Sequence, residues 1–204
     1  AKDTPNYIIN YTDDLGLHQT SVRMMDSEPM SKHSFYKTPN VERLAEMGMC
    51  FSNGYAPTAT CTGSRVSIQF GQTSARTQYR YVFDVYHKKQ RPNGYAGQYS
   101  LADSVKTAGK NYITAHFGKG MTEKLKMVNY DVTDEYEKYA PNGNLHGEKI
   151  DIPTRRELPP DNPKRIYSLI DESMKFLREN AGKRPFFMMV SHYLHAFSHS
   201  CHLI

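Results

Sequence analysis

The sequence predicts an α/β fold with a largely parallel sheet flanked by helices, and three observations carry that expectation. Short apolar runs of β-type residues recur at 7–11, 111–117 and 186–190. Amphipathic helical patterns lie between them, as in sheets built from strand–helix–strand units. Polar, chemistry-bearing residues follow each run at once, beyond the carboxyl ends of strands, where ligands sit in such sheets.

Taken in order, Tyr7-Ile8-Ile9-Asn10-Tyr11 follows Pro5 and reads as a buried strand that delivers Asp13 and Asp14 at its end. Thr38-Pro39 predicts an N-cap with proline at the first helical position, and Val41, Leu44, Ala45 and Met47 form an apolar stripe closed by Gly48. Met49-Cys50-Phe51 is a candidate second strand. Ala56-Pro57-Thr58 makes a turn toward Cys61, with a helix expected from about Ser64 to Phe70. The Tyr- and Gly-rich stretch from Arg76 to Tyr99 reads as loop. Ser100 caps a helix through Val105, stopped by Gly109. Asn111 to Phe117 is a strand running into Gly118-Lys119-Gly120. From Met121 to Pro160 the pattern is polar and broken. Asn162-Pro163 opens the strongest helical signal, with Ile166, Leu169, Ile170, Met174 and Leu177 on one face and Gly182 at its end. Pro185 then starts the strand Phe186–Val190. No internal repeat is visible.

A chain of 204 residues fits one or at most two domains and can bury a core without covalent staples. The formal charge is +5, and the 26 Lys and Arg are spread along the chain. That distribution favours an anionic substrate; no recognition motif for nucleic acid accompanies it. No apolar run is long enough to cross a bilayer. Three cysteines are too few for a disulfide framework, and no C-x-x-C pair suggests zinc. Cys50, after an apolar helix end, reads as a small buried hydrophobe, and Cys201 lies in a polar, His-rich stretch.

Cys61 stands apart. It sits between a proline-containing turn and a helix start, where backbone N–H groups favour negative charge on its sulfur. Arg65, one turn on, adds a fixed cation suited to an oxyanion. By local chemistry alone, a partly buried structural cysteine is the plainer reading. Asp13 and Asp14 read either as a solvated polar turn or as hard oxygen ligands for a divalent ion, and Lys119 either as a loop lysine or as an anion ligand.

A family resemblance begins at Cys61-Thr62-Gly63-Ser64-Arg65 with Gly71-Gln72 downstream. This row resembles the C-x-P-S-R signature of type I sulfatases, the formylglycine-dependent, arylsulfatase-like branch of the alkaline-phosphatase superfamily. Thr38-Pro39-Asn40-Val41-Glu42-Arg43-Leu44-Ala45-Glu46-Met47-Gly48 resembles that family's T-P-N helix, followed by Phe51-Ser52-Asn53-Gly54-Tyr55. Asn10 to Gly16 is similar to its opening strand ending in D-D-x-G, Thr114 to Lys119 to the strand ending in G-K, and Pro185-Phe186-Phe187 to the P-F-F strand. Five blocks in family order span most of residues 1–204, which are therefore identified as an N-terminal sulfatase catalytic domain.

The resemblance implies hydrolysis of a sulfate monoester, free or on a carbohydrate. Cys61 becomes the nucleophile precursor, converted to formylglycine by a formylglycine-generating enzyme. One hydroxyl of the hydrated aldehyde attacks sulfur, and the second lets the covalent sulfate ester collapse and expel sulfate. Asp13, Asp14 and the modified Cys61 are the expected metal ligands, for Ca²⁺ or alternatively Mg²⁺. Arg65 and Lys119 neutralise the sulfate oxygens. His195 is the expected acid for the leaving alcohol, with His199 as the alternative, while His192 falls within a strand and reads as packed. Tyr79, Tyr81, Tyr86, Tyr95 and Tyr99 either stack on sugar rings or serve as packing. The family setting is periplasmic or secreted.

Three departures stand beside the match. Gly63 replaces the signature proline. The family's G-K-W-H is Gly118-Lys119-Gly120-Met121, without the histidine; His116, three residues before Lys119, lies on the opposite strand face. The family also carries a second acidic-plus-amide metal pair, a second sulfate-binding lysine and a smaller sheet domain, none of which is found in residues 1–204, so the catalytic domain is expected to be incomplete in this sequence. The competing readings are a phosphatase or phosphonate-ester hydrolase of the same superfamily, and a truncated, non-catalytic relic that binds an anion.

Overall fold

The computed structural model describes residues 4–79, 98–109, 111–120, 129–134 and 166–192, arranged in two compact units. The first unit takes in the chain up to Asp13 and from Pro57 to Tyr193; the second covers Asp14–Ala56 and Leu194–Ile204.

The first unit is built on a four-stranded parallel sheet of β1 (Tyr7–Tyr11), β2 (Ile113–Gly118), β3 (Val132–Thr133) and β4 (Phe186–Ser191), in the order β1-β4-β2-β3. All six residues of β2 and of β4 are buried, as continuous apolar runs are in sheets covered on both faces. The alternation along β4 divides the core. Phe186, Met188 and Val190 face one side with Ile113, Ala115 and Phe117, beneath the helix Ile166–Asn180 through Leu169 and Phe176. Phe187 and Met189 face the other side with Tyr112, against Ile68 of the helix Cys61–Phe70 and Leu101 and Val105 of the helix Leu101–Thr107. These are helices α5, α2 and α4; α3 is the short turn of helix Ser74–Thr77.

Several local expectations are corrected. Helix α2 begins at Cys61, not near Ser64: Thr60 is extended, and the Ser64 N–H closes the first turn on the Thr60 carbonyl at 3.1 Å. The buried line of α5 runs Leu169, Ser173, Phe176, Asn180, leaving Ile170 and Met174 largely exposed. Ser173 and Asn180 are accommodated because each bonds a carbonyl four residues back, Ser173 Oγ to Leu169 and Asn180 Nδ2 to Phe176. β4 extends one residue further than expected, to Ser191, so His192 lies just past it and is half-buried. β3 was not expected, since two residues carry no periodic signal. Asp131 just before it fastens this edge, accepting from the Thr114 N–H at 2.8 Å and pairing with Lys106 of α4 at 2.6 Å.

In the second unit, helix α1 (Pro39–Met47) forms where expected, but Thr38 does not cap it with its side chain. Thr38 and Ser21 instead grip one another: the Ser21 N–H donates to Thr38 Oγ1 at 3.0 Å and the Thr38 N–H to Ser21 Oγ at 2.9 Å. The stripe Val41, Leu44 and Met47 is exposed, Met49-Cys50-Phe51 is not a strand, and Cys50 is exposed rather than buried.

Gly63, where the signature has proline, occupies the first turn of α2 against a wall. A Cβ there would stand 2.6 Å from Thr58 Oγ1 and 2.8 Å from the Tyr79 carbonyl oxygen. Alanine would favour the helix by about 1 kcal/mol, but overpacking costs about 1–3 kcal/mol, so the steric term wins. Gly63→Ala is expected to lower stability in urea denaturation despite its better propensity. Adding Thr58→Ala should restore part of the loss. A more stable Gly63→Ala protein would show that the first turn has room.

His116 on β2 is wholly buried, its Nε2 3.1 Å from Ser191 Oγ, and burial followed by the nearby Arg65 charge holds its pKa down at about 3. A histidine whose folded pKa lies below its unfolded value of about 6.5 stabilises fully above that value. The contribution is lost as pH falls from about 6.5 toward the folded pKa. Between pH 6.5 and 4 it should add about 1.4 kcal/mol per pH unit to the acid loss of stability. His116→Gln is expected to flatten that limb by this amount, whatever its effect at neutral pH. An unchanged slope would mean that His116 titrates normally.

Candidate active site

Three strand ends and one helix start converge in the first unit. Tyr11 closes β1, Ser191 closes β4 and Gly118 closes β2, and the parallel register aligns Tyr11 with Ser191 and Gly118 with Ser191. Asp13 follows β1 by two residues and Lys119 follows β2 by one. Arg65 reaches this edge from the first turns of α2.

Asp13 is the centre of the cluster. Its Oδ1 accepts from Arg65 Nη2 at 3.0 Å, and its Oδ2 pairs with Lys119 Nζ. The side chains of Asp13 and Arg65 are 4% and 3% exposed, whereas that of Lys119 is 16% exposed. Two cations against one carboxylate leave one positive charge, in a place where solvent screens poorly. Arg65 Nη1 also donates to the Lys119 carbonyl at 2.7 Å, and its guanidinium carbon lies 4.8 Å from the centroid of the Tyr11 ring. Arg65 Nε is buried with no hydrogen-bond partner among the described residues.

The Lys119 backbone is held as firmly as its side chain. Its N–H donates to the Ser191 carbonyl at 2.8 Å. Gly118 has φ 93°, and a Cβ there would be driven into that same carbonyl, so glycine is required for the turn. The Gly118 N–H donates to buried Asp134 at 2.9 Å. The G-K pair therefore functions as a unit: the glycine lets the chain turn and the lysine arrives at Asp13.

Cys61 is the first residue of α2, partly buried, one turn before Arg65. The first-turn N–H groups of a helix have no partner four residues back and favour a negative group. The Tyr11 hydroxyl is held above its ordinary pKa by burial, against the Arg65 charge and with help from Asp13 and Cys61, which places that ring within the field of all three.

Of the residues expected in a site, the structure brings Asp13, Arg65 and Lys119 into contact and sets Cys61 on the helix that carries Arg65. Asp14 opens the second unit, exposed and at φ 53°. His195 and His199 lie outside the described residues, as do Met121, Tyr81, Tyr86 and Tyr95. Tyr79 is buried and Tyr99 exposed. His116 faces the interior, hydrogen-bonded to Ser191, and does not stand in for the missing histidine on Lys119's side. The reading of the sequence missed Tyr11, Ser191 and Asp134. Tyr11 alone had a visible signal, an aromatic residue at the end of a strand two positions before the acidic pair.

The described residues do not by themselves fit Ca²⁺ or Mg²⁺. Calcium takes six to eight oxygens, while here both oxygens of Asp13 are already held by cations. No group of three or more His, Cys, Asp or Glu side chains gathers among the described residues.

Comparison with known proteins bears on the fold and the family. A sulfatase from Formosa agariphila is 31% identical over 139 residues, covering 61% of this chain and 24% of that protein. A protein solved in complex with its substrate D-glucosamine-2-N,6-O-disulfate superposes with a TM-score of 0.59 at 21% identity, over 93% of this chain and 34% of that one. A protein of the alkaline phosphatase superfamily from Vibrio parahaemolyticus gives 0.50 at 17% identity, over 96% and 43%. These structural likenesses carry the fold, and the chain spans between about a quarter and two fifths of the length of the relatives it matches. The model of the sulfatase family matches residues 5–200, nearly the full sequence, and the chain belongs to the sulfatase family.

Proposed function

We propose that this domain is the nucleophile-bearing part of a sulfuric ester hydrolase that acts on a sulfate monoester. The observation that carries the reading is the pair of cations, Arg65 and Lys119, fixed around one buried carboxylate on the side of the fold where Cys61 begins α2. One net positive charge among poorly screened groups suits a singly charged sulfate ester. The sugar disulfate held by the structural relative makes a carbohydrate sulfate the favoured substrate class.

In this reading Cys61 is converted to formylglycine, whose hydrate supplies the attacking hydroxyl. Arg65, held by Asp13 and the Lys119 carbonyl, presents fixed donors to the sulfate oxygens, and Lys119 meets the charge that grows as the ester bond breaks. The alcohol departs with a proton from His195 or His199. No step of this reading runs through Ca²⁺ or Mg²⁺. A second reading, an anion-binding domain without turnover, is favoured by one observation: Asp13 is engaged by two cations rather than displayed to a metal.

Inorganic sulfate binding separates a working anion site from a structural ion pair. Arg65→Ala should weaken sulfate binding by about 10- to 100-fold, and Arg65→Lys should recover only part, because a lysine lacks the planar two-donor fork. Equal affinity in all three proteins would make Arg65 structural. Turnover is tested at Cys61. Conversion to formylglycine lowers the mass of the Cys61 peptide by about 18 Da. In Cys61→Ser, a sulfated serine has no second hydroxyl to expel the sulfate, so an aryl sulfate should leave about 80 Da on that peptide. Sustained turnover by the serine variant would overturn the mechanism, and an unmodified Cys61 peptide would favour the anion-binding reading.

A further inference from the structure

Arg65 is held edge-on by two partners, and the third element around it is an aromatic face. The guanidinium carbon stands 4.8 Å from the Tyr11 centroid, within the distance at which a ring quadrupole attracts a cation. Tyr11 is itself fixed. It is the last residue of β1, in register with Ser191, and its carbonyl accepts from the His192 N–H at 2.9 Å. Its ring packs on the side of the sheet formed by Tyr112, Phe187 and Met189. The ring therefore bridges the apolar core and the charged cluster.

We infer that Tyr11 is a positioning residue of the anion site: its ring face fixes the plane of the Arg65 guanidinium while Asp13 and the Lys119 carbonyl fix its edge. Two hydrogen bonds, to Asp13 from Nη2 and to the Lys119 carbonyl from Nη1, already direct two corners of the fork. Rotation about the line through those corners is the motion they resist least, and the ring face opposes it. With the plane set, the remaining N–H groups point along fixed directions, including the Nε–H that has no partner among the described residues. An arginine whose directions are set in advance binds an oxyanion without first being ordered, which is where affinity and transition-state stabilisation are gained. The phenol hydroxyl has no part in this, so the function belongs to the ring.

This inference rests on Arg65 being an anion ligand, and the experiment keeps the two apart. Inorganic sulfate is titrated calorimetrically into the wild type, Arg65→Ala, Tyr11→Phe and Tyr11→Leu at one ionic strength. Tyr11→Phe should bind within about twofold of the wild type, and Tyr11→Leu about three- to tenfold more weakly, the range expected of a partly desolvated cation–π contact. Wild-type affinity in Tyr11→Leu, or equal losses in Phe and Leu, overturns the ring's role. Unchanged affinity in Arg65→Ala, or no binding by the wild type, overturns the anion site and this inference with it. A readout that needs no folded leucine variant is the Arg65 Nε–H proton resonance, assigned by its loss in Arg65→Lys. A guanidinium seated over the ring face predicts an upfield ring-current displacement from exposed arginines such as Arg43 in the wild type and in Tyr11→Phe. A resonance at the exposed position sinks the proposal.

Discussion

The site edge depends on one buried carboxylate shared between two cations. Asp13 lies past β1, Arg65 on α2 and Lys119 past β2, so a single side chain ties together three segments separated by 52 to 106 positions in sequence. A lone charge at this burial would be costly, and two cations without the carboxylate would repel. Together they satisfy one another while leaving a surplus of positive charge. Removing one member of such a buried set costs about 3–5 kcal/mol, because its partners stay buried without compensation. The arrangement is therefore at once an anchor for the fold and a local surplus of positive charge.

Precision at this edge comes from backbone more than from side chains. Ser191 pairs by register with both Tyr11 and Gly118, its carbonyl receives the Lys119 N–H, and its hydroxyl meets His116. Asp134 holds the Gly118 N–H from the other flank. A lysine on a free loop would spread its charge over many rotamers. Here the chain that bears it is tied on two sides before the side chain begins. The close wall around Gly63 has the same effect on α2, fixing the helix that presents Cys61 and Arg65.

Much of this was legible in the sequence, for physical reasons that differ by element. β2 and β4 announce themselves as short runs of β-type residues, as strands covered on both faces do, whereas β1, read as buried from the same kind of run, is an edge strand with Tyr7 and Ile8 exposed. Asp13, Lys119 and the C-T-G-S-R row follow at the ends where charge can meet solvent. The start of α2 was not legible: three polar or small residues, Cys61 to Gly63, look like loop until tertiary contacts with Thr58 and Tyr79 are known. The buried face of α5 was misjudged because Ser173 and Asn180 hide their polarity in bonds to their own helix, which no hydropathy pattern records. Thr38 looked like a helix cap, and Ser21, 17 positions away, claims its hydroxyl instead. Tyr11 read as one more strand residue because its importance lies in what packs over its face.

The strand order has a consequence for how the domain comes into being. β4, the last of the described strands in sequence, is the one inserted between β1 and β2. During synthesis β2 can pair with β3, but β1 has no partner among the described strands, and the sheet cannot join until Phe186–Ser191 arrives between β1 and β2. Every pairing of β4 with β1 closes a loop of about 180 residues, the kind of non-local contact that makes folding slow. Until then the edges of β1 and β2 that will meet β4 present unpaired backbone groups to wrong partners, the condition under which nascent chains aggregate and chaperones are needed.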